Sequence, residues 1–376
     1  MTDWSEYLLN AIDTSDVTAV SRLKQEGPKG EKAWGIHLSL FPAVQRVLNP
    51  PFINPHLPKM YRICREFIPY LETDEIEGLV RLEVNEYARR PKLEKLPKKD
   101  PLPSPVSFKE VELAIGEQDR EKTAVLMRTF LEQKGIKEAA RRLLLLGSGY
   151  LSQSLGHSVS CTAFILLEMM EQKDKHPWPA LSTLADYFCK GRFKETPPLQ
   201  KRIAAPSEEG LEYHLERAVS GEGIVNLHHT ITLYATERVA HLFRREEHDH
   251  MISRWISFMG DKKAELMTMD GQETETPVDY NQFYNSFSRL ETKPVVASLR
   301  GMLGSHQERK RLGRFLIRGL CDLYQRNYDP HYVTGLGSAL WVVDRFWKRP
   351  PIALNAVFQY LGFFFGDLNS DRSCPE

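Results

Sequence analysis

Hydrophobic residues recur along most of this chain at intervals of three and four positions, the spacing of one face of an α-helix. Segments that alternate apolar and polar residues, as half-buried strands do, are few. The helical spacing is found in segments 59–70, 74–89, 107–134, 135–146, 209–219, 224–245, 251–260, 280–290 and 306–325. The pattern therefore predicts an all-α fold of about a dozen helices.

Proline and glycine mark the breaks between these segments. Residues 91–105 combine repeated prolines with a cluster of charges, which is typical of an exposed connector. The histidines discussed below fall on both sides of this stretch. We therefore expect it to be a loop within a single large multi-helix domain that spans residues 1–376, with a buried histidine-lined site.

Two of the predicted helices bear on function. Residues 143–170 are apolar nearly all round, and a helix without a charged face lies inside a protein. The glycines and serines of this stretch allow another backbone or a ligand to approach closely. In the helix predicted from residue 224, successive residues turn by about 100°. That phase places His228 at the edge of the apolar face and His229 about a quarter-turn away, so it favours burial of His228.

Composition excludes several classes of function. The chain has 50 basic and 50 acidic residues, and a neutral chain without a basic block offers no electrostatic basis for binding nucleic acid. The first residues lack the apolar core of a signal peptide, and no apolar run reaches the length of a membrane span. The five cysteines are widely spaced without a C-x-x-C pair, which favours free thiols in a reducing compartment. We expect a cytoplasmic protein that binds neither nucleic acid nor membrane.

Four histidines stand at the start of apolar, helix-like runs: His37, His157, His229 and His331, with His228 an alternative to His229. Imidazole is the commonest protein ligand for a transition metal, and an all-nitrogen site suits iron, copper or zinc better than magnesium or calcium. Side chains that converge would build a metal centre. Side chains that do not converge would be core histidines, each with a hydrogen bond, and no local motif such as H-E-x-x-H decides between these interpretations.

Glu168 lies eleven residues after His157, about three helical turns, so the two share a face of the predicted helix. A carboxylate in an apolar run needs a partner if it is buried. Glu168 is therefore a candidate metal ligand, a hydrogen-bond acceptor behind a ligand, or a general base.

These segments, taken in order, resemble the questin oxidase-like proteins. The similar features are Ile36-His37-Leu38-Ser39-Leu40, a glycine-rich stretch from Gly147 through His157 to Glu168, His229-Thr230-Ile231-Thr232, and Asp329-Pro330-His331 before a helix. The resemblance implies an α-helical enzyme that oxidises polycyclic aromatic polyketides of secondary metabolism with dioxygen. It also implies non-haem iron held by four histidines and a carboxylated lysine, which would make His37, His157, His229 and His331 the ligands. The resemblance thus favours His229, against the helical phase.

One feature departs from that family, whose members often have a lysine just after the last histidine. Here residues 332–335 read Tyr-Val-Thr-Gly. The expectation is an iron(II)-dependent oxygenase acting with dioxygen on a hydrophobic aromatic substrate, with NADPH as a candidate reductant and Glu168 as a proton shuttle. The alternatives are a catalytically silent helical scaffold with structural histidines, and a zinc hydrolase with three ligands and an open water position.

Overall fold

The computed structural model describes residues 3–27, 31–96, 100–173, 177–193, 208–266, 280–303 and 305–370. Over these ranges it contains nineteen α-helices, four short 3₁₀ helices and no strand beyond isolated bridges. The all-α prediction is confirmed. No helix among the described residues is both long enough and apolar enough to cross a bilayer.

Contacts within the chain group it into two compact units. The first comprises residues 1–65, 73–205 and 235–258, and the second comprises residues 66–72, 206–234 and 259–376. The proline-rich stretch 91–105 falls inside the first unit. Its residues 97–99 lie outside the described part, and most of the others are exposed and lack helix.

The first eleven helices of the chain lie within the first unit or begin there. They are α1 (Trp4–Thr14), α2 (Ala19–Glu26), α3 (Glu31–Val44), α4 (His56–Phe67), α5 (Ile76–Arg89), α6 (Phe108–Gly116), α7 (Arg120–Lys134), α8 (Ile136–Ser148), α9 (Leu151–Ser154), α10 (His157–Glu171) and α11 (Trp178–Gly191). The remaining helices are α12 (Glu208–Val219), α13 (Ile224–Arg238), α14 (Arg245–Met259), α15 (Tyr280–Ser288), α16 (Thr292–Leu299), α17 (His306–Leu323), α18 (Pro330–Arg345) and α19 (Pro350–Asn369). Of these, α14 belongs almost wholly to the first unit.

Local capping chemistry fixes where several helices begin. Ser107 and Glu110 form a capping box at α6, and the Asp119 carboxylate accepts a hydrogen bond from the Lys122 backbone N–H at α7. At α18 the Asp329 carboxylate accepts from the His331 backbone N–H, and Pro330 occupies the first helical position. Because each cap satisfies a backbone donor that the helix leaves unpaired, these residues set the helix starts.

Helix α10 is the most buried element of the first unit, since every residue from His157 to Met169 is buried. The predicted helical stretch 143–170 is divided into α8, α9 and α10, and the break between α9 and α10 falls at Leu155 and Gly156, which adopt positive φ angles of 49° and 77°. Helices α8 and α10 approach closely at Gly147, where an added Cβ would lie 2.5 Å from the Ser158 carbonyl oxygen. The expected close approach of backbones at this glycine is confirmed.

Candidate metal centre

His157 is held in one orientation in the first unit. The turn at Gly156 starts α10, so His157 is its first residue, and the His157 Nδ1 lies 2.6 Å from the Ser154 carbonyl oxygen. A carbonyl oxygen only accepts, so Nδ1 carries the proton and the neutral ring presents a lone pair on Nε2. This is the tautomer that a metal-ligating histidine adopts when a backbone carbonyl orients it.

The Nε2 atom of His157 faces a histidine that the sequence analysis did not select. The His56 Nε2 lies 2.7 Å from the His157 Nε2, and the rings meet edge to face with centroids 4.5 Å apart. His56 is the first residue of α4 and is fully buried, and its Nδ1 is 3.4 Å from the Asn49 side-chain amide nitrogen. The first unit therefore brings two imidazole nitrogens together in a water-excluded interior.

His37, also in the first unit, belongs to a different network. Its Nδ1 lies 2.7 Å from one carboxylate oxygen of Glu83, and the Tyr87 hydroxyl donates to the other at 3.0 Å. The ring is stacked between Trp34 and Tyr61. The His37 Nε2 is buried and has no hydrogen-bond partner among the described residues. Among the described residues, His56 and His157 belong to a group of possible metal-ligating atoms that lie within 4.8 Å of one another, and His37 does not belong to this group.

Glu168 is fully buried, and its carboxylate is engaged by two arginines. Its Oε1 accepts from Arg65 at 2.7 Å and from the Gln172 amide at 2.6 Å, and its Oε2 accepts from Arg62 at 3.1 Å. Both guanidinium groups also pair with Glu171, which is 47% exposed. The expectation that a carboxylate here needs a partner is met by an ion-pair network, and the proton-shuttle role stays a prediction.

The second unit contains another anchored pair of histidines. The His228 Nδ1 lies 2.6 Å from the Ile224 carbonyl oxygen, and the His331 Nδ1 lies 2.7 Å from the Asp329 carboxylate. Both acceptors place the proton on Nδ1 and leave the Nε2 lone pair for a ligand, with Asp329 in the carboxylate–histidine arrangement found behind many metal sites. The two rings contact each other with centroids 4.9 Å apart.

His229, next in the chain, lies in a more basic environment. Burial, together with the positive charges of Lys262 and Arg217, lowers its pKa to about 4. The ring is therefore neutral near pH 7 and able to bind a metal. His228 and His229 are both buried, so burial does not decide between them, and the choice of ligand stays a prediction.

His56 and Lys59 are the residues that sequence reasoning missed. The sequence predicts a helix from Lys59, which leaves His56 outside it, whereas α4 starts at His56. Lys59 lies one turn later on the same helix and is fully buried, which is rare for a lysine. The signal available in the sequence was a histidine directly after Asn54-Pro55, because proline commonly precedes or opens a helix.

Cys161, one turn after His157 in α10, is fully buried, and burial raises its pKa to about 11. Because the thiolate is the nucleophile, a pKa of 11 rather than about 8.5 lowers the reactive fraction at pH 8 roughly 200-fold. We therefore expect iodoacetamide to label Cys161 at least about 100-fold more slowly in the folded protein than in urea. Peptide mass spectrometry measures both rates, and comparable rates would contradict the buried placement.

Cys374 lies outside the described residues.

Comparison of the chain with protein-family models, curated proteins and solved structures gives no match. The resemblance to questin oxidase-like proteins accordingly stays a prediction.

Proposed function

We propose that the protein binds a transition-metal ion through buried histidines and acts as a non-haem iron oxygenase. The observation that carries the proposal is the His56–His157 pair, whose Nε2 atoms face each other at 2.7 Å in the buried interior of the first unit. Neutral imidazoles in a dry, rigid setting are the ligands that divalent iron, copper and zinc share.

The donor chemistry fits such an ion. His157, His228 and His331 each have Nδ1 on a carbonyl or carboxylate oxygen, which fixes the ring and directs Nε2 outward. Nitrogen donors of this kind are poor ligands for magnesium and calcium, which prefer oxygen. Two imidazole nitrogens on one tetrahedral ion lie about 3.3 Å apart, so the His56 and His157 rings would separate slightly to hold it.

Bound iron(II) would supply the redox chemistry with dioxygen that no side chain provides. The protein contributes ligand orientation in the first unit through the Ser154 carbonyl, and it excludes water there through the apolar residues of α10. The substrate proposed is a hydrophobic aromatic molecule of secondary metabolism, with NADPH as reductant. A cytoplasmic location is part of the proposal, because the cysteines in the described part of the chain are not joined by disulfides.

Lys59 is the residue we propose for the carboxylated lysine that the family resemblance implies. It is fully buried and lies on α4 one turn from His56. Carboxylation uses the neutral amine of a lysine, whose nitrogen attacks carbon dioxide and then loses a proton to give a carbamate. The carbamate would add an anionic oxygen donor to a set of neutral nitrogens.

A second candidate function is a scaffold whose histidines are structural. A separation of 2.7 Å also suits an N–H···N hydrogen bond between His56 and His157. In that arrangement the Asn49 amide donates to the His56 Nδ1, and the His157 Nδ1 donates to Ser154, so each ring nitrogen is satisfied without metal. A zinc hydrolase remains the third possibility and predicts a different ion.

The deciding experiment is elemental analysis of the protein purified after iron-supplemented growth, together with oxygen uptake on aromatic quinone substrates. The oxygenase proposal expects close to one equivalent of iron and uptake that a chelator abolishes. Iron below about a tenth of an equivalent, with stability unchanged by the chelator, would favour the scaffold. Stoichiometric zinc without oxygen uptake would favour the hydrolase.

A further inference from the structure

A surface pocket of about 430 Å³ lies in the first unit, where α7 begins and α11 ends. Its volume is within the range of about 300–1,000 Å³ that small-molecule sites occupy. Its lining consists of Ile53, Gln118, Arg120, Asp186, Cys189, Lys190 and Arg192. The histidines and Glu168 discussed above are not part of that lining, so the pocket has no role in the proposed metal chemistry.

The charge of the lining is strongly asymmetric. Arg120, Lys190 and Arg192 contribute three positive charges, whereas Asp186 contributes one negative charge, which leaves a net charge of +2. Asp186 is buried and pairs with Arg120 at 3.2 Å and with Lys190 at 2.9 Å. This carboxylate therefore holds two of the cations in place without neutralising the group.

Acidic residues outside the lining do not remove the excess. Glu94 is 3.8 Å from Arg120 but is 86% exposed, where screening by water and salt leaves an ion pair little effect. Asp119 directs its carboxylate to the Lys122 backbone N–H as the cap of α7.

Of the three cations that line the pocket, Arg192 is the one without an ion pair to another described residue. It follows α11 in a left-handed backbone conformation, with φ of 47°, and the residue is exposed. Gln118, also at positive φ, adds an amide to the same pocket. An arginine fork, a lysine ammonium and an amide are the donors that recognise phosphate and carboxylate oxygens.

We propose that this pocket binds a small anion that carries a phosphate or carboxylate group, with Arg192, Lys190 and Arg120 as the recognition residues. Asp186 positions the latter two. The inference is independent of the metal proposal, because the lining of the pocket contains none of the histidines proposed to bind metal.

The test is calorimetric titration of the whole protein with inorganic phosphate in one arm and succinate in the other. We expect saturable one-site binding in at least one arm, and the tighter arm identifies the anion class. Arg192→Gln and Lys190→Gln should each raise Kd roughly tenfold, while Arg142→Gln, an exposed arginine on α8, should leave it unchanged. His157→Ala should also leave Kd unchanged, which separates this site from anion binding at a metal.

Asp186→Asn provides a result of opposite sign. The substitution removes the one negative charge of the lining but keeps a side-chain oxygen that can accept from Arg120 and Lys190, so anion binding should tighten, provided that circular dichroism shows the fold retained. No saturable binding in either arm would overturn the proposal. Equal weakening by Arg192→Gln and by the Arg142→Gln control would overturn it as well, since that result describes unspecific attraction to the surface.

Discussion

His157→Ala is expected to lose bound metal while its helical circular dichroism signal is retained. The substitution removes the Nε2 atom that faces the His56 Nε2 at 2.7 Å, and it leaves the Gly156 turn and the start of α10 intact. Loss of a residue that only supports a ligand typically weakens metal affinity 10–100-fold, so loss of a ligand itself should exceed about 100-fold. Metal content after dialysis against a chelator of known affinity measures the effect.

The matched control is His248→Ala. His248 lies on α14 in the same unit, is partly exposed, and pairs with Glu237 at 3.0 Å. It should retain metal like the unsubstituted protein. His56→Ala should behave like His157→Ala. If His56→Ala and His157→Ala both retain metal, the metal proposal loses its basis. The result would then favour the scaffold, in which the two histidines are joined by a hydrogen bond.

The same measurement on His228→Ala and His331→Ala distinguishes two forms of the proposal. The single centre predicted from the sequence requires one ion per chain, with affinity lost in variants of either anchored pair. Two independent sites require two ions, one of which survives each substitution. The ratio of metal to protein therefore decides the form without reference to catalytic activity.

The periodic pattern of the chain was sufficient for the fold class but not for every helix boundary. The segment 107–134 is interrupted between Gly116 and Arg120, where Gln118 adopts a φ of 61°. A single residue in the left-handed region ends a helix without changing the hydrophobic spacing on either side of it. Such interruptions are set by local backbone conformation, which apolar periodicity does not record.

The candidate site was only partly accessible to sequence reasoning. His157 was selected because it opens an apolar run, and the structure gives it a carbonyl partner in the turn before it. Its neighbour His56 is 101 residues away in the chain, and no local pattern encodes that contact. The sequence also gives no sign of the partners of Glu168. Arg62 and Arg65 lie on α4, and charged residues in a helix ordinarily face solvent.

Glu168→Ala is expected to destabilise the protein by about 3–5 kcal/mol, because it leaves Arg62 and Arg65 without their buried counter-charge. The Glu168 side chain is fully buried, and Arg62 is 6% exposed, so neither guanidinium is readily rehydrated on that side. Urea unfolding followed by circular dichroism measures the change as a shift of the transition midpoint.

Glu171→Ala is the control that separates burial from charge. Glu171 contacts the same two arginines at 2.5 Å and 2.9 Å but is 47% exposed, and an exposed ion pair contributes only about 0–1 kcal/mol. Equal effects of the two substitutions would contradict the buried-network account.

Replacing Glu168, Arg62 and Arg65 together with methionine should recover much of the stability that Glu168→Ala loses, because a buried ion network and an apolar core of similar volume are close in free energy. A triple variant as unstable as Glu168→Ala would show that the geometry of these side chains, and not their uncompensated charge, stabilises this part of the first unit.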